Sequence, residues 1–435
     1  MHTARWAVIA LVLAALFART LERRGGPSPA ARARGAEGRS GTESPLRNAG
    51  GAGGAGALAL KTLGRSQIGL RRLGAEVGQP PVPPSAADFH AAFEPHVASD
   101  DERLKLVPLA GELVGKEEAL RRLDALPESG LRWLLRRTYD GARLEPHERD
   151  RLAKSLGWFG ELALVHGLPD DDPARARVLA DARKFALTLG GVSVAAILLF
   201  VAALVLFTVA CLRLARGRIV PRDLPPPPGP LDIAWLEVPA LLLLGVLLVG
   251  SLPQGLWLLA LVPLWPRLRG VSWHAWREGL GLSAGRGVLV EAGAGVVGYL
   301  ACLPLVAASL FVTMALARWT GGEFSHPYVE EALHGGDFGQ LVVGACLWAP
   351  LVEEAVFRGA LWRYVRSRAG VALSAATVGL VFALAHPQGL AALPTLTALG
   401  AVFALLRHWR GTLAAPVAAH AFHNSLLVGL LHLVA

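Results

Sequence analysis

The chain has 435 residues, 53% of them hydrophobic and only 18% charged, with a mean hydropathy of +0.43. This balance excludes an ordinary soluble protein, because several apolar runs reach the roughly 20 residues that span a bilayer. The formal net charge of +9 does not argue for nucleic-acid binding: the downstream arginines lie in short loops between apolar runs, where membrane orientation accounts for them.

The predicted class is all-α, a polytopic helical membrane protein with about eight transmembrane helices. At the N-terminus, Arg5 precedes a short apolar run from Trp6 to Ala18, the pattern of a signal or signal anchor over residues 1–24. No clear A-x-A site follows, which favours an uncleaved anchor. Residues 25–85 are rich in Gly, Ala and Pro, as in "GGAGGAGALAL" and "QPPVPPSAAD", and read as a flexible linker. Residues 86–184 alternate charges with apolar residues at helical spacing and predict a small helical extracytoplasmic domain, near the lower size limit for its own core. It has no metal motif and no nucleotide loop, and docking module and plain spacer are both open readings of it. From Phe185 the chain turns apolar. Spans are predicted near 185–211, 233–252 and 254–266, forming an accessory membrane region over 185–284. Others follow near 288–317, 338–362, 371–388, 391–406 and 412–434. The short segment at 254–266 is alternatively re-entrant. Cys211, Cys302 and Cys346 lie in apolar segments without paired spacing and read as small buried hydrophobes.

Charge orders these spans. One set of loops carries Arg213, Arg216, Arg218 and Arg222; then Arg267, Arg269, Arg277 and Arg286; then Arg363, Arg366 and Arg368; then Arg407 and Arg410. The opposite loop, 318–337, sets Glu323, Glu330, Glu331 and Asp337 against Arg318. The positive-inside rule makes the arginine loops cytoplasmic and places residues 25–184 outside. "LPPPPGP" at 224–230 is then a stiff cytoplasmic connector. The Arg-rich, Lys-poor composition suggests a high-GC bacterium, and hence a bacterial cytoplasmic membrane.

Three spans carry groups that hydrocarbon cannot solvate. The first holds Glu353, Glu354 and Arg358 in "APLVEEAVFRGALW"; the second Phe382 and His386 in "FALAHPQG"; the third His420, His423 and Asn424 in "HAFHNS". Glu353 and His386 lie about 16 residues on either side of the turn at Ala369–Gly370, so antiparallel helices rising about 1.5 Å per residue bring them level. Glu353 and His420 are each ten residues from an arginine, Arg363 and Arg410, which places one polar layer inside the bilayer, open toward the cytoplasm. Glu354 and Arg358 have the favourable i, i+4 order for a helical ion pair. Glu353 points about 100° away around the helix and is left for chemistry. Pro350 starts or kinks a helical stretch with Glu353 in its first turn, and Gly359 permits close approach of a neighbouring helix. His420 and Asn424, also i, i+4, share a face.

One carboxylate, two imidazoles and an amide suit peptide-bond hydrolysis. A carboxylate takes a proton from water, and His and Asn side chains donate to a developing oxyanion. For any single residue the plain alternative is a structural ion pair or a core histidine. Three spans meeting at one depth favour chemistry.

"EEAVFRG", "FALAH" and "HAFHN" resemble the EExxxR, FxxxH and HxxxN motifs of the CPBP intramembrane protease family, which includes CAAX prenyl endopeptidases and bacteriocin-processing or immunity (Abi) proteins. The resemblance covers roughly residues 285–435, no motif position departs from the pattern, and His423 is extra and read as packing. It implies a multi-helix membrane fold with a cytoplasm-facing cavity. In that core Glu353 is the general base, His386 holds the water, His420 and Asn424 form the oxyanion site, and Glu354, Arg358 and Phe382 support it. The family is described both as metalloproteases and as glutamate proteases. His386, His420 and Glu353 would be the Zn²⁺ ligands, but no HExxH occurs, and the mechanism without a cofactor is preferred. The implied partners are a membrane-associated protein or peptide substrate and the lipid bilayer, with no nucleic acid. A non-catalytic scaffold or immunity protein of the same fold is the alternative. A transporter fits less well, for no inverted repeat is visible.

Overall fold

The structure is a computed structural model; it describes residues 52–79, 82–223, 226, 229–249, 255–320, 337–386 and 388–434. The expected signal anchor, the linker through residue 51, the "GSLPQG" turn up to residue 254 and most of the acidic loop fall outside the described residues. Among those residues there is no strand, and the all-α class holds. They divide into two compact units, 52–198 on one side and 199–320 with 337–433 on the other.

The first unit is built from α1 (Ala52–Glu76), α2 (Ala86–Phe93), α3 (Asp100–Leu113), α4 (Lys116–Asp124), α5 (Gly130–Tyr139), α6 (Pro146–Leu156), α7 (Trp158–Leu164) and the start of α8 (Pro173–Ala215). Its helix starts are written locally. Ser85 with Asp88 and Ser99 with Glu102 form capping boxes, and the Ser129 side chain accepts from Arg132 N, each satisfying amides that the first turn leaves open. Phe89, Phe93, Leu106, Leu109, Leu135 and Leu152 form the core. The linker expectation fails from Ala52 on. Beyond its first glycines, α1 presents Leu60 and Ile68 to that core, and Arg65 and Glu76 pair with Asp181 and Arg183 of α8 at 3.0 and 2.8 Å. Burial on one face outweighs the glycines, so the helical unit begins at 52 rather than 86.

The second unit carries the rest of α8, then α9 (Ile233–Val249), α10 (Trp273–Leu280), α11 (Val288–Thr320), α12 (Phe338–Arg366), α13 (Val371–Leu384), α14 (Leu393–Arg410) and α15 (Ala414–Val434). Among the described residues, five helices are long and apolar enough to cross a membrane: α8, α11, α12, the stretch Leu390–Arg410 that contains α14, and α15. α9 and α13 are apolar but shorter. The span expected at 254–266 is not one helix. Short helical turns at Gly255–Leu258, Leu259–Leu264 and Trp265–Leu268 follow one another, with Pro263 and Pro266 among them. Proline withholds the amide a continuous helix needs. α13 and α14 approach at glycines: a Cβ on Gly379 would lie 2.4 Å from the Thr397 carbonyl, and one on Gly400 2.8 Å from the Gly379 Cα. In lipid such small-residue contacts replace the hydrophobic effect as the glue between helices. Two apolar cores result. Trp235, Trp276, Val356, Phe357, Trp362, Val378 and Phe382 form one. Tyr299, Val306, Leu399, Phe403 and Ala419 form the other. The polar motifs sit where α12, α13, α14 and α15 meet.

Candidate active site

α12 supplies the acidic motif and is not a regular helix. π-turns at Gly344–Trp348 and Ala355–Leu361 flank the α-helical turn Ala349–Glu354. Such wide turns are rare and recur at functional sites, because each shifts the register of the side chains that follow. Pro350 stands in the first turn of the α-helical stretch, where its missing amide costs least. A Cβ on Gly359 would lie 2.6 Å from a Leu280 methyl, so this glycine seats α12 on α10.

Glu354 and Arg358 are both fully buried and paired, with Arg358 Nη1 donating to Glu354 Oε1 at 2.9 Å. Arg358 Nη2 donates to the Gly400 carbonyl of α14 at 3.0 Å. Its guanidinium lies over the rings of Phe382 and Phe403, 4.4 and 5.1 Å from their centroids. A buried cation is tolerated when it is paired, hydrogen-bonded and faced by aromatic quadrupoles, and Arg358 has all three. Phe382 of the second motif is thus a wall of the arginine's chamber.

The two histidines turn the same way. His386 follows the end of α13 and its Nδ1 lies 2.6 Å from the Phe382 carbonyl. A carbonyl only accepts, so Nδ1 carries a proton, and Nε2 is the nitrogen turned toward the acidic motif. His420, on α15, has Nδ1 2.8 Å from Glu354 Oε1 and its ring stacked on Phe403 at 5.0 Å. The carboxylate accepts from this ring in the same manner. Both Nε2 atoms face Glu353 Oε2, at 3.7 Å from His386 and 4.0 Å from His420. That oxygen is buried without a hydrogen-bond partner, although the Glu353 side chain as a whole is 23% exposed. Glu354 Oε2 also lacks a partner, and the adjacent glutamates differ instead in exposure and company: Glu354 is fully buried with Arg358 and His420, while the Glu353 side chain is partly exposed. Asn424, one turn beyond His420, donates from Nδ2 to the Ala345 carbonyl in the first π-turn at 2.7 Å. Its remaining amide proton and its oxygen are not used by that bond.

Glu353, Glu354, Arg358, Phe382, His386 and His420 are thus brought together, while Asn424 reaches the same helix through Ala345 rather than through a carboxylate. His423 bonds the Tyr299 hydroxyl of α11 at 2.8 Å. The sequence motifs gave no sign of the Gly400 carbonyl, of Phe403, or of the Glu354–His420 bond. Only the apolar glycine in "LTALGAVF" hinted that a neighbouring backbone comes close there.

The donor set can be tested against a zinc ion. Ligand atoms about 2 Å from a tetrahedral ion stand about 3.3 Å apart, less than the 3.7 and 4.0 Å between Glu353 and the two imidazoles. No group of three ligating side chains is close enough to share an ion among the described residues. As placed, the three donors do not fit one ion.

Residues 337–426 match the family model for the Rce1-like type II CAAX prenyl endopeptidases. No curated protein and no solved structure matches the chain. The matched stretch contains all three motifs and every residue of the cluster from Glu353 to Asn424. The matched segment, carried on a chain with several helices long and apolar enough to cross a membrane, is thus similar to an Rce1-like type II CAAX prenyl endopeptidase domain.

Proposed function

We propose that the chain is an intramembrane endopeptidase that cuts membrane-associated proteins or peptides with a water activated by Glu353 and no metal. The supporting observation is the approach of two imidazole Nε2 atoms to one carboxylate oxygen that no protein group satisfies. In this mechanism His386 works with Nε2 unprotonated, so that Nε2 and Glu353 Oε2 are both acceptors and take a donor between them. A water supplies two O–H donors, one for each.

In that position Glu353 takes a proton as the water oxygen attacks the peptide carbonyl carbon. The new oxyanion is met by the free amide proton of Asn424 and by His420, once its Nε2 is also protonated. Glu354 faces the Nδ1 side of His420 and stabilises that imidazolium. Glu353 then returns its proton to the departing amine as the C–N bond breaks. The arginine-rich turns support a site opening to the cytoplasmic side.

The test is cleavage of a peptide library by the purified protein in detergent or nanodiscs. Glu353→Gln keeps the shape and removes the base, and turnover should fall by at least about a hundredfold, the scale of general base catalysis. Extended chelation should leave turnover unchanged. Chelation that abolishes cleavage, with recovery on adding Zn²⁺, would replace this mechanism by a metal-dependent one. A Glu353→Gln variant with normal turnover would remove Glu353 from the chemistry altogether.

A further inference from the structure

After α8 the chain returns toward the ends of α12 and α14, and one acidic side chain joins them. Asp223 Oδ2 accepts from Trp362 Nε1 of α12 at 2.6 Å, and Oδ1 accepts from Arg407 Nη1 of α14 at 3.0 Å. The backbone amides of Arg222 and Asp223 both point to the His408 carbonyl, at 3.3 and 3.2 Å. The Arg222 side chain lies 3.5 Å from Glu291, a fully buried carboxylate of α11 that also accepts from Arg410 Nε at 2.5 Å. Arg407 and Trp362 are almost wholly buried. This strap lies outside the matched segment, and no motif contains it.

The two elements it joins carry the halves of the catalytic cluster. α12 holds Glu353, Glu354 and Arg358. α14 holds the Gly400 carbonyl that receives Arg358 and the Phe403 ring that stacks on His420. Nothing in the α12–α14 contact is covalent, and the buried Arg358–Gly400 bond survives only at one separation of the helices. Charge makes the strap selective: Asp223 is the carboxylate on the buried guanidinium of Arg407, and neutralising it leaves that cation uncompensated.

We infer that Asp223 is a positioning residue of the hydrolase. By holding Trp362 and Arg407 together it sets the spacing of α12 and α14, and through it the approach of Glu353 to His386 and His420. The inference rests on the hydrolytic reading for its consequence in turnover, and on geometry alone for its consequence in structure.

Two arms separate these. In the first, Asp223→Asn, Asp223→Ala and Trp362→Phe are assayed for peptide cleavage. A displaced base costs on the order of ten- to a hundredfold in kcat when reacting groups shift by about an ångström, with KM for the peptide within about twofold because Asp223 touches no substrate. Asp223→Asn, which keeps an acceptor for Trp362, should lose less than Asp223→Ala. Trp362→Phe removes one strap bond while keeping a ring in the core, so it reports even if Asp223→Ala fails to fold. The combination of Trp362→Phe with Asp223→Asn should lose less than the product of the two, as expected for partners in one interaction.

In the second arm, nitroxide pairs on Leu347→Cys of α12 and Leu405→Cys of α14, with Cys211, Cys302 and Cys346 replaced by serine, report the helix spacing by pulsed electron resonance. Asp223→Asn should shift or broaden that distribution. An unchanged distribution, or normal kcat in a strap variant of a protein that does cleave, overturns the inference. If the unsubstituted protein cleaves nothing while the distances shift, the hydrolytic reading falls and the strap's hold on the helices stands.

Discussion

At the scale of single residues, the proposed mechanism divides the adjacent glutamates into a reacting half, Glu353, and a holding half, Glu354. Glu354 Oε1 serves both Arg358 and His420, so Glu354→Gln does two separable things. It leaves a buried guanidinium without its counter-charge, a loss on the order of 3–5 kcal/mol, and it frees the His420 ring to turn. Glu354→Gln combined with Arg358→Gln should therefore recover part of the lost thermal stability without recovering cleavage, whereas Glu353→Gln should abolish cleavage at near-normal stability. Melting of the detergent-solubilised variants beside peptide turnover decides this. Full recovery of cleavage in the double variant would show that His420 needs no orienting by Glu354. The i, i+4 pairing of Glu354 with Arg358 and the separate direction of Glu353 were legible in sequence, because they depend only on helical geometry. The bond from His420 to Glu354 was not, since it joins residues 66 apart and depends on how α15 is seated. The placement of Phe382 against Arg358 was similarly hidden: a phenylalanine in an apolar helix carries no mark that it faces a cation.

At the scale of elements, the predicted spans at 185–211, 288–317 and 338–362 each lie within a long helix of the structure, and the one at 412–434 coincides with a helix that starts two residues later, at Ala414, because length and hydropathy are properties of one segment. The irregular pieces were harder. The interruption of 254–266 follows from its prolines, yet the π-turns of α12 have no comparable signature, as their residues are ordinary apolar ones. Close helix contacts also depend on the partner. Gly379 looks like any glycine in "TVGLVF", but a methyl there would meet the backbone carbonyl of Thr397 at 2.4 Å, and backbone cannot swing aside as a side chain can. Gly379→Ala should force α13 from α14 and cost about 1–3 kcal/mol, the usual penalty of overpacking. Gly293→Ala on α11, where nothing lies within 4 Å, should cost little. Equal melting of the two variants would contradict the close seating of α13 on α14.

At the scale of the whole molecule, the arginines form two populations. Arg213, Arg216 and Arg277 are exposed and suit orientation of the chain in a membrane. Arg358, Arg407 and Arg410 are buried against Glu354, Asp223 and Glu291. Composition counts both kinds alike, which is why sequence reading assigned the loop arginines to topology and overlooked Asp223 and Glu291 as their partners. The second population has a consequence in time. Asp223 is made 184 residues before Arg407, and Glu291 119 residues before Arg410. At about 5–20 residues per second, the first acid waits roughly ten to forty seconds on the ribosome for its cation. During that interval Glu291 of α11 has Arg222 within reach but lacks Arg410, the cation that is its hydrogen-bond donor in the finished fold. A chain stopped at His386 never ends this interval, and quality-control proteases should clear it quickly. Asp223→Asn with Glu291→Gln should slow that clearance while lowering the stability of the full-length chain, so the same two substitutions act with opposite sign on the nascent and the finished protein. Pulse-chase decay of the stopped chain, with and without the substitutions, measures the first effect, and identical half-lives would mean that the waiting acids are harmless.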